Sequence, residues 1–238
     1  MKRVLLIPAY NEGSRIAAVL DRVKAALPDY AVVVVDDGST DDTGEVARAC
    51  GARVLRHPFN LGYGAALQTG YKFAVRSGVD LLVQMDADGQ HDPADAPALA
   101  APVLAGELDL VIGSRFLGVG DYRMDPLRRT GRALFLAIVR AFGLRVTDPT
   151  SGFQALSRSV LELYVGDIFP SDFPDVDVLL VAHRQGLRVG ERPVHMAESP
   201  RTSTLHAGLA PVYYVYKMLL SIWAASTRPT ASRPGGTE

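Results

Sequence analysis

The sequence predicts an α/β fold: a mostly parallel central sheet with helices on both faces. Two observations carry this. Short apolar runs alternate with longer amphipathic segments five times over about the first 115 residues. Each run also stops at a stretch of polar, glycine or proline residues: 8–12, 36–39, 86–92 and 113–116. Ligands of parallel sheets bind at the carboxyl ends of the strands, so the pattern that predicts the fold also predicts where a site would lie.

The elements follow in order. "RVLLI" is a buried strand that stops at Pro8, and "SRIAAVLDRVKAAL" is a helix. Its Ile16, Val19, Leu20, Val23 and Leu27 share one face at helical spacing. "AVVVV" is a second strand, ended by Asp36-Asp37-Gly38-Ser39. "TDDTGEVARACG" has a polar start and Gly51 just past its end, the marks of a helix, and "RVLRH" is a third strand. Then come helix "GYGAALQTGYKFAVRSG", strand "DLLVQM", helix "PADAPALAAPVLAG" and strand "LDLVIG". The second half is less regular. Residues 126–143 read as a helix, "DPTSGFQALS" as a loop feeding a strand, "PDVDVLLVAHRQG" as a helix and "LRVGERPV" as a strand. The expected division is a catalytic domain over 1–205, an apolar C-terminal helix over 206–226, and a disordered Ser-, Thr-, Pro- and Gly-rich tail over 227–238.

Composition excludes several classes. The 238 residues suffice for one large domain, with 48% hydrophobic and 21% charged residues. Lys plus Arg is 25 against 26 for Asp plus Glu, so there is no global basic field and no case for a nucleic-acid partner. One cysteine, Cys50, excludes an internal disulfide, fits a reducing compartment and reads as a small packing residue. The opening "MKRVLLIPAYNE" has the cations of a secretion signal, but its apolar run ends too soon at Pro8. A cytoplasmic protein is expected.

"QMDADGQHDP" sets Asp86, Asp88 and Asp92 close together after an apolar run. A solvated turn is the plain reading of such a cluster. Asp92, just before Pro93, fits a helix cap. Asp86 and Asp88 fit a divalent ion bridging protein to phosphate, since Mg²⁺ and Mn²⁺ favour oxygen ligands and keep one or two carboxylates. Other strand ends add company: "IPAYNEG", "VDDGSTDDT", and "NLGYGAALQTG", where Gly62 and Gly64 would let backbone approach a flat or phosphate-bearing ligand. Neither the P-loop ending nor the dinucleotide-binding glycine pattern is present.

Together with "GSRF" and "DPTSGFQALSR", these motifs occur in the order seen in family 2 glycosyltransferases of the GT-A fold. Over roughly residues 1–200 the chain most resembles the branch that transfers sugars to polyprenyl phosphates, the dolichyl-phosphate mannosyltransferase-like enzymes. The resemblance implies that Pro8, Ala9, Tyr10 and Glu12 line the nucleotide pocket, with Gly64 beside it and Asp37 at the base edge. It implies that Asp86 and Asp88 bracket Mg²⁺ or Mn²⁺ on the donor diphosphate, with Gln90 as a further ligand and His91 as an outer neighbour. Arg115 and Arg129 match phosphate-gripping arginines, and Asp148 and Ser151 match an acceptor-side loop. Asp175 and Asp177 stand where the family generally carries glutamates. "ESPRTSTLH" keeps Arg201 but departs from the family's glycine-containing basic motif.

The implied chemistry is inverting transfer from a UDP- or GDP-linked sugar to dolichyl or undecaprenyl phosphate. Asp88, Arg115, Arg129 and Asp175 are the catalytic candidates. The departing nucleoside diphosphate gains negative charge, which a cation at Asp86 and Asp88 would stabilise. A lipid phosphate is already anionic, so it needs cations to hold it rather than a base. Arg128 and Arg132 could add to these, a solvated basic helix face being the plain alternative. A hydroxyl acceptor in polysaccharide synthesis would instead need Asp175 or Asp177 as base. A non-catalytic nucleotide-sugar-binding module is the remaining alternative. Sugar-phosphate nucleotidyltransferases share the layout, but "IPAYNEGSR" is not their glycine-rich basic loop.

"LAPVYYVYKMLLSIWAA" near the C-terminus is shorter than the about 20 apolar residues of a spanning helix and contains Lys217. Its tyrosines and Trp223 suit a membrane interface, and a helix packed on the core or in a homodimer is the alternative. The expected enzyme is thus peripheral at the inner face of the membrane, docked on lipid or on a small membrane partner protein.

Overall fold

A computed structural model of the chain describes residues 1–118, 126–166, 169–170 and 174–197, with Tyr216 and Leu220, and gives the backbone alone over 126–131. Its centre is a seven-stranded sheet of β1 (Arg3–Ala9), β2 (Ala31–Asp36), β3 (Arg53–Arg56), β4 (Leu81–Gln84), β5 (Leu110–Ser114), β6 (Gln154–Ser157) and β7 (Val189–Pro193). The order across the sheet is β3-β2-β1-β4-β6-β5-β7. Neighbouring strands are parallel except around β6, which runs antiparallel to both β4 and β5.

Helices α1 (Gly13–Ala26), α2 (Thr43–Ala49), α3 (Tyr63–Arg76), α4 (Ala96–Leu104), α5 (Pro126–Ala141), α6 (Arg158–Tyr164) and α7 (Val176–Arg184) cover both faces. Because successive strand side chains alternate, β1 feeds two cores at once. Val4 and Leu6 join α3, α5, α6 and α7 on one face, while Leu5 and Ile7 join α1, α2 and α4 on the other. The five apolar positions predicted for α1 are all buried, each worth about 1.5–3 kcal/mol. Cys50 packs half-buried at the edge of that second core.

The sheet order places the site. The chain winds outward from β1 to β2 and β3, then crosses back to lay β4 on the other side of β1. The crevice of such a sheet opens where the winding reverses, here at the carboxyl ends of β1 and β4. The motifs "AYNEG" and "DADGQ" leave those two ends.

Two elements differ from the sequence reading. Helix α6 was not expected. It starts directly from β6 with Ser157 as its cap, the hydroxyl accepting from the Val160 amide at 3.5 Å. Expected helix "PADAPALAAPVLAG" is split, a short 3-10 turn over Pro93–Asp95 preceding α4. As expected, Asp92 caps that turn, accepting from the Ala94 amide at 3.1 Å.

Among the described residues no helix is long and apolar enough to cross a membrane. Of the expected C-terminal helix only Tyr216 and Leu220 are described, both helical and exposed; Arg201, Lys217, Trp223 and the 227–238 tail lie outside the described residues.

Candidate active site

The turn after β1 is stitched to the turn after β2 by short side chains. Asn11 takes φ 55°, a left-handed conformation that asparagine tolerates better than most residues. Its amide donates to the Ser39 hydroxyl at 3.0 Å and its side-chain oxygen accepts from the Thr40 amide at 2.8 Å. The Glu12 amide donates to the Thr43 hydroxyl at 2.8 Å, and the Gly13 amide to Asp41 at 3.0 Å. The effect is a rigid ledge on which Tyr10 stands 45% exposed, beside Pro8 and Ala9 inside the strand end.

Asp37, expected at the base edge, follows directly on β2. It is 3% exposed, and its carboxylate gathers three donors. Oδ1 accepts from His57 Nδ1 at 2.6 Å and the Leu61 amide at 2.9 Å, and Oδ2 from the Gly62 amide at 2.9 Å. It therefore ties the β3–α3 loop to the end of β2. The neighbouring Gly38 has φ 71°, and a Cβ there would lie 2.4 Å from the Phe59 backbone, so only glycine lets the loop settle this close.

The loop passes from the β2 end towards β4, where the first residue of α3 reaches the carboxylates. The Tyr63 hydroxyl donates to Asp86 Oδ1 at 2.8 Å, and His91 Nε2 lies 3.4 Å from Oδ2. Asp88 is clasped by its own loop: Oδ1 accepts from the Gln90 amide at 3.0 Å and Oδ2 from Gln90 Nε2 at 2.6 Å. Arg22 of α1 braces this loop through the Gly89 and His91 carbonyls at 3.2 and 3.4 Å. Beneath it, a Cβ on Gly152 would come within 2.6 Å of Asp86 Oδ2, so the 148–153 turn and the 86–92 loop are in direct contact.

The two acids are pushed apart in acidity. Burial raises the Asp86 carboxyl, but the hydrogen bond and charge of His91, the Tyr63 hydroxyl and the charge of Arg115 outweigh burial and hold it below the usual carboxylate range. Burial and then the charge of Asp86 push Asp88 up, with Glu12 adding to the push. Burial and Asp86 hold the Tyr63 hydroxyl well above its usual range, so it stays protonated and donates. The charge of Asp175 also acts on Tyr63, which brings that acid to the same opening.

The residues expected on the acceptor side form a set of closed pairs. Arg115 grips Asp148 through Nε and Nη2, each at 2.6 Å, and Asp148 is fully buried. Asp148 in turn hangs by its amide from Glu191 Oε1 at 2.8 Å. Ser151 is buried inside its turn, the hydroxyl accepting from the Phe153 amide at 3.3 Å. Arg132 is not a solvated cation: Nη2 donates to the Thr147 carbonyl at 2.9 Å, and its guanidinium lies 3.7 Å over the Phe116 ring. The Asp177 carboxylate turns inward, its Oδ1 accepting from the Val178 amide at 2.9 Å, and its charge acts on the buried Tyr164. The side chains of Arg128 and Arg129 lie outside the described residues.

The structure thus links Gln90 to Asp88 and His91 to Asp86 by contact, while the charges of Glu12, Arg115 and Asp175 act on Asp88, Asp86 and Tyr63 respectively. Gly64 is buried in the first turn of α3 beside Tyr63. Three contributors escaped the sequence reading: Tyr63, His57 and Gly152. Each sits inside a quoted motif or next to one, but only a contact distant in sequence gives it a role.

Three comparisons bear on what this opening does. The sequence model of the family described as "Glycosyl transferase family 2" matches residues 4–164. A polyprenol monophosphomannose synthase of Mycolicibacterium smegmatis is 34% identical over 83% of this chain and 78% of its own length. A UDP-N-acetylglucosamine–dolichyl-phosphate N-acetylglucosaminyltransferase of Methanococcus voltae is 30% identical over 80% of this chain and 83% of its own. Among solved structures, glucosyl-3-phosphoglycerate synthase of Mycobacterium tuberculosis with Mn²⁺, UDP and glucosyl-3-phosphoglycerate aligns at TM-score 0.72 and 25% identity, over 97% of this chain and 81% of that one. With the motifs, the sheet order and the relatives in agreement, the chain belongs to glycosyltransferase family 2 and is a glycosyltransferase of the GT-A fold.

Proposed function

We propose that this enzyme moves a sugar, with inversion, from a nucleotide-sugar to a polyprenyl phosphate, using Mg²⁺ or Mn²⁺. One observation carries the reading. At the β1/β4 opening the charge of Asp86 adds to burial in pushing up Asp88, so an added cation would relieve Asp88, and Arg115 stands close enough for its charge to act on Asp86. Anionic donor and anionic acceptor would thus meet beside matching charges.

The residues fit a divalent ion. Asp86 and Asp88 offer hard oxygen ligands, and the strained acidity of Asp88 is what an added cation would relieve. No group of three or more His, Cys, Asp or Glu side chains able to hold a metal occurs among the described residues, so an ion here would draw its other ligands from the Gln90 side-chain oxygen, phosphate and water. Bound there, it would supply charge stabilisation to the departing diphosphate. The protein's own share is positioning. Tyr63 and His91 fix Asp86, Gln90 fixes Asp88, and Tyr10 offers an exposed ring to a nucleobase. Arg115, prealigned by Asp148, orients the acceptor phosphate; no proton need be removed from it. Arg129 is assigned beside it by the family resemblance alone. Residues 206–226 are assigned as the element that meets the membrane surface or a membrane partner.

A second reading, transfer to a hydroxyl, has support of its own, because Asp175 lies near enough to act on Tyr63. The experiment that separates the two supplies labelled UDP- and GDP-sugars with Mn²⁺ and either undecaprenyl phosphate or oligosaccharide acceptors. Label extracted with the lipid, and unaffected by Asp175→Asn, supports the first reading. Label in the oligosaccharide, abolished by Asp175→Asn, supports the second.

A further inference from the structure

His57 belongs to none of the motifs assigned above, yet it is built into the site on both ring nitrogens. It is 8% exposed, between the end of β2 and helix α3. Nδ1 lies 2.6 Å from Asp37 Oδ1, and Nε2 lies 2.8 Å from the Thr69 hydroxyl. A carboxylate can only accept, so Nδ1 carries the proton that faces it. The Thr69 hydroxyl can satisfy Nε2 as donor or acceptor, which leaves the ring one orientation.

The carboxylate that His57 holds is the one that fixes the loop. Asp37 takes the Leu61 and Gly62 amides, and the next residue, Tyr63, delivers its hydroxyl to Asp86. A continuous polar path therefore runs Thr69–His57–Asp37–loop–Tyr63–Asp86, across the ends of β2, β1 and β4. The loop exposes Phe59 and Leu61 as it crosses. Without a fixed Asp37, the amides of Leu61 and Gly62 would lose their acceptor and the loop its placement.

We propose that His57 is a positioning residue for the donor nucleotide: braced by Thr69, it orients Asp37, which holds the 58–62 loop in its nucleotide-receiving form. The inference rests on the donor-site reading above. It predicts a change in nucleotide affinity rather than in the chemical step, since the hydrogen bonds of His57 go to Asp37 and Thr69 and not to Asp86, Asp88 or Arg115.

The test uses UDP and GDP with Mn²⁺ as probes on the full chain. His57→Asn keeps a side-chain N–H near the Nδ1 position, whereas His57→Gln places its amide near Nε2 and abandons Asp37. Expected are an about tenfold weaker nucleotide Kd and a matching rise in donor KM for His57→Gln, kcat within about twofold, and near-complete rescue by His57→Asn. Thr69→Val should shift affinity in the same direction by less. In the ligand-free protein, amide exchange at Leu61 and Gly62 should quicken in His57→Gln and not in His57→Asn. Unchanged Kd and unchanged exchange in a folded His57→Gln overturn the inference, as does equal damage to kcat and KM in both variants. No nucleotide binding by the wild type sinks the donor reading and this one with it, whereas wild-type binding with an indifferent variant sinks this one alone.

Discussion

The two sides of the opening solve opposite electrostatic problems. At the ends of β1 and β4, Glu12 is paired with Arg15 and Asp86 is held by Tyr63 and His91, so the strain falls on Asp88, which burial and the charge of Asp86 push up. Around Arg115, the proposed acceptor side, the charges are matched at rest. Arg115 holds Asp148, while Arg132 is spent on a backbone carbonyl and an aromatic face. The difference teaches what each half requires. A cluster left repulsive is stabilised by an incoming cation, while a closed ion pair serves to hold one guanidinium in a fixed direction. The first should lose function without losing stability when altered, and the second should lose both.

The sharpest way to break this contrast is Asp88→Asn. It should lower kcat by about a hundredfold to a thousandfold in a transfer assay. The ligand-free protein should melt no earlier. The folded-state pKa of Asp88 is raised, so stability is lost as pH climbs from the unfolded-state pKa to the folded one and stays lost above it, and the neutral amide removes that cost. Asp148→Ala should do the reverse in stability, losing about 3 kcal/mol in denaturant unfolding because it leaves the Arg115 guanidinium without its principal partner.

Gly152→Ala probes the contact between the halves. Its methyl would press on Asp86, and about 1–2 kcal/mol of strain should appear together with weaker metal-dependent nucleotide binding by calorimetry. The smallest effect is on pH dependence. Metal-assisted nucleotide binding should fade on acidification in a single step set by Asp88, at a higher pH than an ordinary aspartate would give, because Asp86 stays ionised below it. A titration that follows an ordinary carboxylate would show that the two acids are not held apart.

Much of the fold was legible because its causes are local. Ile16, Val19, Leu20 and Val23 declare a helix face by spacing alone, and the buried β1 and β2 runs declare strands. Helix α6 was missed because it follows β6 without a turn, so "QALSRSVLELY" reads as one apolar segment unless Ser157 is recognised as a cap. The antiparallel course of β6 depends on pairing Gln84 with Gln154, a contact no local pattern announces. At the site, residue types were legible but partners were not. Asp37 and Asp148 look as much like ligand-binding acids as Asp86 and Asp88 do. Only the fold shows their partners: Asp37 holds donors at 57–62, Asp148 holds Arg115, Asp86 takes Tyr63 and His91, and Asp88 takes Gln90.

In the proposed mechanism Asp86 and Asp88 bind a cation carried with a nucleotide diphosphate. The direct measurement is the thermal stabilisation of wild type and Asp88→Asn by UDP and by GDP, each with and without Mn²⁺. At 100 times its dissociation constant a ligand adds about 2.7 kcal/mol, well above the resolution of the method. The account predicts stabilisation by one of the nucleotides that requires Mn²⁺ and vanishes in Asp88→Asn. Equal stabilisation of both proteins, or stabilisation indifferent to Mn²⁺, would contradict it.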